Sequence, residues 1–306
     1  MKNTILYGDC RKTISTITEP VKMCVTSPPY YGLRDYGGEE NQIGQENSPE
    51  EFVDQLVEVF RNVREVLTDD GTLWLNIGDS YYNYRPGKGQ SYPKQSVSKT
   101  KQDLPDKCNK RGNKLDGLKE KDLIGIPWML AFALRADGWY LRQDIIWHKP
   151  NPMPESVKDR CTKSHEYLFL LSKNKRYYYD NEAIKEPAKD WGTRDRTKGK
   201  YHNAGTGLSP HTGLSKSYAK KNKRSVWRVT NKPYKGAHFA VYPPDLIEPC
   251  IKAGSQKGDI ILDPFMGSGT TARVARSLSR DYIGCELHED YRDLIEIPSL
   301  DGLIEK

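Results

Sequence analysis

The chain has 306 residues, a formal net charge of +7 and 36% hydrophobic residues. That length suits one large core with an appended recognition region, or two modest domains, and no apolar run approaches the ~20 residues of a membrane span. The start Met1-Lys2-Asn3-Thr4 lacks a secretory pattern and the six cysteines form no Cys-x-x-Cys pair, so a cytoplasmic protein with reduced thiols and no metal is expected.

Thr4 to Tyr7 reads as a short strand ending at Gly8-Asp9-Cys10, and Lys22 to Thr26 as the next. The second runs into Ser27-Pro28-Pro29-Tyr30. Each proline locks φ and the first forces an extended residue before it, so the outline of this turn is fixed. The Ser27 hydroxyl and the Pro28 carbonyl can then face one pocket as acceptors, with the Tyr30 ring as a flat wall. An exocyclic amine has two donors for those acceptors, and an aromatic ring supports an extruded base. The plainer alternative is a strand that ends in a proline turn.

Ser48-Pro49-Glu50-Glu51 predicts a helix with a capping box and a proline at its first position, and Phe52, Leu56, Val59, Phe60, Val63 and Leu67 recur at helical spacing. Asp70-Gly71 closes that unit and Thr72 to Ile77 reads as a buried strand, followed by Gly78-Asp79, where Asp79 either assists a reaction or caps a turn. A helix over Ile126 to Ala136 and strands over Leu141 to Trp147 and His165 to Leu171 come next. Two stretches are strongly basic, Ser80 to Glu120 with ten Lys or Arg against four acids, and Glu186 to Gly236 with thirteen against three. They read as surface loops whose natural partner is a phosphate backbone, the alternative being a merely solvated surface.

Near the end of the chain, Asp259-Ile-Ile-Leu-Asp263 predicts a strand running through Pro264-Phe265-Met266-Gly267-Ser268-Gly269 into a helix over Thr270 to Arg280. Gly267 and Gly269 let the backbone approach a ligand, and Ala272 stands where the third small residue of a nucleotide-binding turn belongs. The following strand, Tyr282 to Glu286, ends in an acid 19 residues after Gly267, the usual interval for a carboxylate that grips ribose hydroxyls. Strands alternating with helices predict an α/β fold with a mostly parallel, doubly wound sheet and ligands beyond the carboxyl ends of its strands. Cys250 lies in the helical run Leu246, Ile247, Cys250, Ile251, where a cysteine is core rather than a nucleophile.

Ser-Pro-Pro-Tyr early and Asp-Pro-Phe-x-Gly-Ser-Gly-Thr-Thr late together resemble the amino-methylating DNA methyltransferases of the beta class, a circularly permuted version of the Rossmann-like methyltransferase fold. The resemblance implies S-adenosylmethionine as cofactor, double-stranded DNA as substrate and methyl transfer to the exocyclic amine of a flipped base. It makes Ser27, Pro28, Pro29 and Tyr30 catalytic. It gives the cofactor Thr26, Asp263, Pro264, Phe265, Gly267, Ser268, Gly269 and Thr270. To these it adds Asp9, which would take the adenine amine, Glu286, which would hold the ribose, and His238 and Phe239, which would close the pocket, while Asp263 with the glycine turn would pass under the methionine part. Ser before Pro-Pro favours cytosine N4 in this family, with adenine N6 the alternative.

The implied organisation is a catalytic half over 1–150 with a basic insertion about 80–120, a target-recognition region over 151–235 and a cofactor half over 236–306. Arg194, Arg196, Lys220, Lys221, Lys223, Arg224, Trp227 and Arg228 are expected to meet DNA, because arginines suit base edges, lysines phosphates and aromatics an orphaned base. A hydride transferase would leave Ser-Pro-Pro-Tyr and the basic loops without a role. A DNA-binding regulator with a relic pocket is the non-enzymatic alternative. A restriction endonuclease partner and a homodimer stay open.

Overall fold

A computed structural model of the chain describes residues 1–32, 42–82, 117–188, 219–231 and 242–295. Its centre is an eight-stranded sheet of β1 (Thr4–Tyr7), β10 (Asp281–Glu286), β9 (Ile260–Asp263), β2 (Val21–Thr26), β3 (Leu67–Ile77), β5 (His165–Ser172), β4 (Tyr140–His148) and β8 (Val226–Arg228), in that spatial order. Every strand points the same way except β5, which is antiparallel to both neighbours. The permuted order is realised directly. β1 pairs with β10, Tyr7 opposite Glu286, and β2 lies against β9, Cys24 opposite Leu262. Within 151–235, β5 and β8 both belong to the common sheet.

Two apolar layers cover the two faces. Successive residues of β3 alternate between them, Leu73, Leu75 and Ile77 on one side and Trp74 on the other, as do Phe169 and Leu171 against Leu168 and Leu170 in β5. A sheet covered on both faces needs such continuous apolar runs. On the first face pack α2 (Pro49–Val66) and α3 (Ile126–Ala136), on the second α4 (Pro244–Gly254) and α5 (Thr270–Ser277). In α2 the spacing read from sequence holds: Phe52, Leu56, Val59, Phe60 and Val63 are all fully buried. Each such burial is worth about 1.5–3 kcal/mol, so Phe60→Ala alone would cost about 3–5 kcal/mol.

Local chemistry sets the helix ends. The Ser48 hydroxyl accepts from Glu51 N at 3.2 Å and Pro49 occupies the first turn, but the Glu51 carboxylate returns to Asn47 N at 3.0 Å rather than to Ser48, so the expected capping box is shifted by one residue. Gly125 has no side chain to cap α3, and Asp79 does it instead, accepting from Gly125 N at 3.0 Å and Ile126 N at 3.1 Å. Asp79 is therefore a cap. Helix α5 stops three residues short of the expected end because Ser279 turns to φ 61° and Arg280 N bonds back to Ala275 O at 2.8 Å, a left-handed closure.

Three smaller departures have equally local causes. Strand β3 starts at Leu67, not Thr72: a register shift opposite Val21 to Met23 absorbs Asp69-Asp70-Gly71, and Asp70 pairs with Lys22 at 2.5 Å. Asp9 begins a one-turn helix, α1 (Cys10–Thr13). Strands β6 (Glu186–Pro187) and β7 (Lys220–Lys221) form a separate two-residue ladder. Just past β3, Tyr81 bridges Leu123, Tyr82 N donates to Asp122 O at 2.8 Å and Lys121 N to Tyr82 O at 2.9 Å, which closes the base of the 83–116 segment. Among the described residues no helix is long and apolar enough to cross a membrane.

Candidate active site

Seven strands end along one edge of the sheet, and β5 begins there. Beyond that edge lie Asp9, Glu286, Asp263, Ser27 and Asp79, followed by Glu166, Lys149 and Arg228. The Ser27-Pro28-Pro29-Tyr30 turn, expected to be catalytic, and the 264–269 turn, expected to hold the cofactor, thus open from adjacent strands. They are joined directly, because Thr26 Oγ1 donates to Asp263 Oδ1 at 2.6 Å across 237 residues of sequence.

The carboxylates along this edge differ in how fully they are occupied. Asp263 is 2% exposed and accepts from four donors: Thr26, Thr271 and Tyr242 through their hydroxyls, and Phe265 through its backbone N–H at 3.0 Å. A carboxylate has about four acceptor sites, so Asp263 is saturated. It holds the turn from beneath through Thr271 and Phe265. Burial raises its pKa, and the four donors offset only part of that rise. Thr26 is likewise fully buried.

Asp9 is occupied as well. It caps α1 through Arg11 N at 3.0 Å and binds the Arg11 guanidinium at 2.8–3.1 Å, while Arg11 extends to Gln55. Burial would raise its pKa, but Arg11 prevails and holds it below the ordinary aspartate value. The expected adenine acceptor is thus paired in this state. Glu286 contrasts with both, for among the described residues it accepts only from Gly267 N at 2.8 Å and His288 N at 3.2 Å. Burial pushes its pKa up. Two acceptor sites remain beside a turn in which Gly267 and Gly269 take φ of 53° and 78°, conformations a side chain strains. That donor and acceptor set fits the ribose and methionine parts of S-adenosylmethionine. Pro264, Ser268 and Thr270 are buried, with Arg273 donating to Ser268 O at 2.7 Å and Thr270 Oγ1 at 3.0 Å, whereas Phe265 and Gly267 are partly exposed.

In the catalytic turn Pro28 is buried and Ser27 half-buried. Among the described residues nothing bonds to the Ser27 hydroxyl or the Pro28 carbonyl. Tyr30 is held on two sides. A Cβ added to Gly78 would lie 2.6 Å from Tyr30 Cε2, so the ring rests on the glycine backbone, and Tyr30 Oη donates to Glu166 Oε2 at 2.7 Å. Asn76 Nδ2 reaches the same oxygen at 3.3 Å, and Lys149 pairs with Glu166 Oε1 while standing 4.2 Å over the Trp147 ring. Lys163 Nζ donates to Asp79 O at 2.7 Å, and its burial lowers its pKa.

The expected DNA contacts divide. Trp227 is corrected: it is 5% exposed, its ring lies 6.5 Å from Trp74 within the second apolar layer and its Nε1 donates to Arg224 O at 2.7 Å, so it is core and cannot stack on a base. Lys221 and Arg224 pair with Glu186 at 3.5 and 2.7 Å, Lys223 stands 4.8 Å over the Trp227 ring, and Lys220 and Arg228 are exposed. Arg228 ends β8 opposite His148, on the same edge as the catalytic turn. Arg194, Arg196, His238 and Phe239 lie outside the described residues. Sequence reading gave no role to Glu166, Asn76, Tyr242 or Arg11, because each acts through partners that no single motif contains.

The N6/N4 methyltransferase model, described as DNA methylase, matches residues 21–296. The chain is 47% identical over 296 residues to the type II methyltransferase M.SmaI of Serratia marcescens, covering 95% of this chain and 88% of that one, and 46% identical over 292 residues to M.Cfr9I of Citrobacter freundii, covering 95% and 85%. Among solved structures, the PvuII DNA methyltransferase (cytosine-N4-specific) aligns with a TM-score of 0.63 at 16% identity, covering 100% of this chain and 91% of that one. The M1.HpyAVI complex with S-adenosylmethionine aligns at 0.51 and 17% identity, covering 95% and 97%.

Proposed function

Because the chain belongs to the N6/N4 family of DNA methyltransferases, with S-adenosylmethionine as methyl donor and DNA as substrate, we propose that it methylates the N4 amine of a cytosine flipped out of the duplex. One observation carries this reading: among the described residues nothing bonds to the Ser27 hydroxyl or the Pro28 carbonyl, which leaves two acceptors beside the Tyr30 ring.

The cofactor supplies an electrophilic methyl carbon on a sulfonium. Glu286 and the Gly267 to Gly269 turn hold it next to the catalytic turn, and the Thr26 to Asp263 hydrogen bond keeps the two turns in register. The obstacle is the amine, whose lone pair is delocalised into the base. Two acceptors drawing on its hydrogens favour a pyramidal nitrogen and would stabilise the positive charge that develops as the N–C bond forms, the C–S bond breaking with its electron pair left on sulfur. The methylated ammonium is acidic enough to lose its proton without a dedicated base. Tyr30 supports the base by stacking. Serine before Pro-Pro favours cytosine, and the cytosine-N4-specific solved neighbour adds to that. The relatives' type II designation supports a cognate restriction endonuclease as partner.

Incubation with labelled S-adenosylmethionine and unmodified DNA, then nucleoside mass spectrometry, tests the assignment. N4-methylcytosine is expected. N6-methyladenine would move the assignment to the other base, and cofactor binding without incorporation into any DNA would leave only a DNA-binding role.

A further inference from the structure

The catalytic tetrapeptide is anchored at both ends by a carboxylate from a distant strand, Asp263 below Thr26 and Glu166 beside Tyr30. The first anchor is saturated by neutral donors. The second joins groups from three elements: the Tyr30 phenol from the turn after β2, the Asn76 amide from β3 and the Lys149 ammonium from the end of β4. Glu166 itself is on β5, opposite Trp147, and the Lys149 and Glu166 side chains are only 17% and 14% exposed.

We propose that Glu166 is the positioning residue of the base pocket, fixing the plane of the Tyr30 ring through its phenol hydroxyl so that a flipped base meets a preset surface. The inference rests on the amine-methylation reading above. It follows from where the contacts fall on the ring. The ring body packs against the first apolar layer and the Gly78 backbone lies along one edge, while Glu166 takes the hydroxyl at the tip. The hydrogen bond to Glu166 thus sets the direction in which the phenol points. Lys149 and Asn76 in turn fix the carboxylate: with Lys149 on Oε1 and Asn76 on Oε2 beside the phenol, its orientation is set from both oxygens. Asn76 is tied further by a 3.1 Å bond to Tyr167 O. A chain of contacts thus runs from the antiparallel strand to the wall of the pocket, and a misplacement of that wall by ~1 Å is enough to cost ~100-fold in rate.

The test is a double-mutant cycle of Glu166→Gln and Tyr30→Phe, scored by methyl incorporation into unmodified DNA and by calorimetric affinity for S-adenosylmethionine. Each single variant is expected to lower kcat by about tenfold or more with KM for the cofactor unchanged, and the double variant to be no more than about twofold worse than the poorer single, since both remove one interaction. Multiplying losses, or a parallel loss of cofactor affinity in Glu166→Gln, would overturn the proposal by making Glu166 a general structural support. Should Glu166→Gln fail to fold, Glu166→Asp takes its place in the cycle. It keeps the charge opposite Lys149 but draws the acceptor back from the phenol, and wild-type kcat in that variant would also count against the idea. Failure of the underlying reading is a different result: the unsubstituted enzyme would then transfer no methyl group to a base amine.

Discussion

The sheet edge divides at β2 into two unlike halves. On the side of β1, β10 and β9, each carboxylate takes a backbone N–H from the chain just beyond its strand: Phe265 for Asp263, His288 for Glu286 and Arg11 for Asp9, with Gly267 N as a second donor to Glu286. On the side of β3, β5, β4 and β8, the Glu166 carboxylate is held by side chains, a phenol, an amide and a lysine, with Lys163 and Arg228 along the same rim. The difference matches the two ligands. A small cofactor of constant shape suits a rigid cradle built on backbone, whereas a long polyanion suits a rim that carries cations.

Substitutions across the two halves would break or sharpen that contrast. Asp263→Ala has the largest expected effect on stability, about 3–5 kcal/mol in urea unfolding, because it leaves buried hydroxyls of Thr26, Thr271 and Tyr242 without their acceptor. A loss below about 1 kcal/mol would mean that the cradle is not rigid. Ser27→Ala, at the boundary between the halves, should slow single-turnover methyl transfer by about 10²–10³-fold while cofactor affinity stays constant.

Glu286→Gln is expected to weaken cofactor binding about tenfold in calorimetry with little change in stability. The same carboxylate sets a pH dependence. Its folded pKa is raised by burial, so cofactor affinity should decline in acid at pH values above those of an ordinary glutamate, near ~4.3, as the acceptor takes up a proton. Linkage makes the fold respond in the opposite sense. The group's contribution to stability is complete below the unfolded pKa and is lost as pH rises through the folded pKa. Affinity titrations of wild type and Glu286→Gln should therefore differ in slope on the acid side, and parallel curves would remove Glu286 from the cofactor site. The smallest effect is expected on the other half: Arg228→Ala should lower the slope of log affinity for DNA against log salt by about one, with cofactor binding untouched.

What sequence could disclose follows the same division. The 263–271 turn was legible because its interactions are local: Phe265 N and Thr271 meet Asp263 within eight residues, and the 19-residue interval from Gly267 to Glu286 becomes a 2.8 Å hydrogen bond. The neighbourhoods of β9 with β2 and of β10 with β1 could be read as soon as the motif order was known, whereas the antiparallel β5 could not. The Tyr30 anchor was not legible, since its partner lies 136 residues away and begins an apolar strand that looks purely structural. The bonds from Thr26 and Tyr242 to Asp263 were not legible for a related reason: both donors come from outside its motif. Trp227 misled because an aromatic among lysines resembles a stacking platform. The strand alternation of exposed Val226, buried Trp227 and exposed Arg228 was there to correct it, but three residues are too few to establish a period of two.

The closed stem formed by Tyr81, Tyr82, Lys121, Asp122 and Leu123 has a practical consequence. With Tyr82 and Lys121 already clasped, a change in the number of residues joining them alters closure entropy slowly, about 0.6 kcal/mol for each doubling of length. An engineer could therefore graft between those two positions at little cost to the rest of the enzyme.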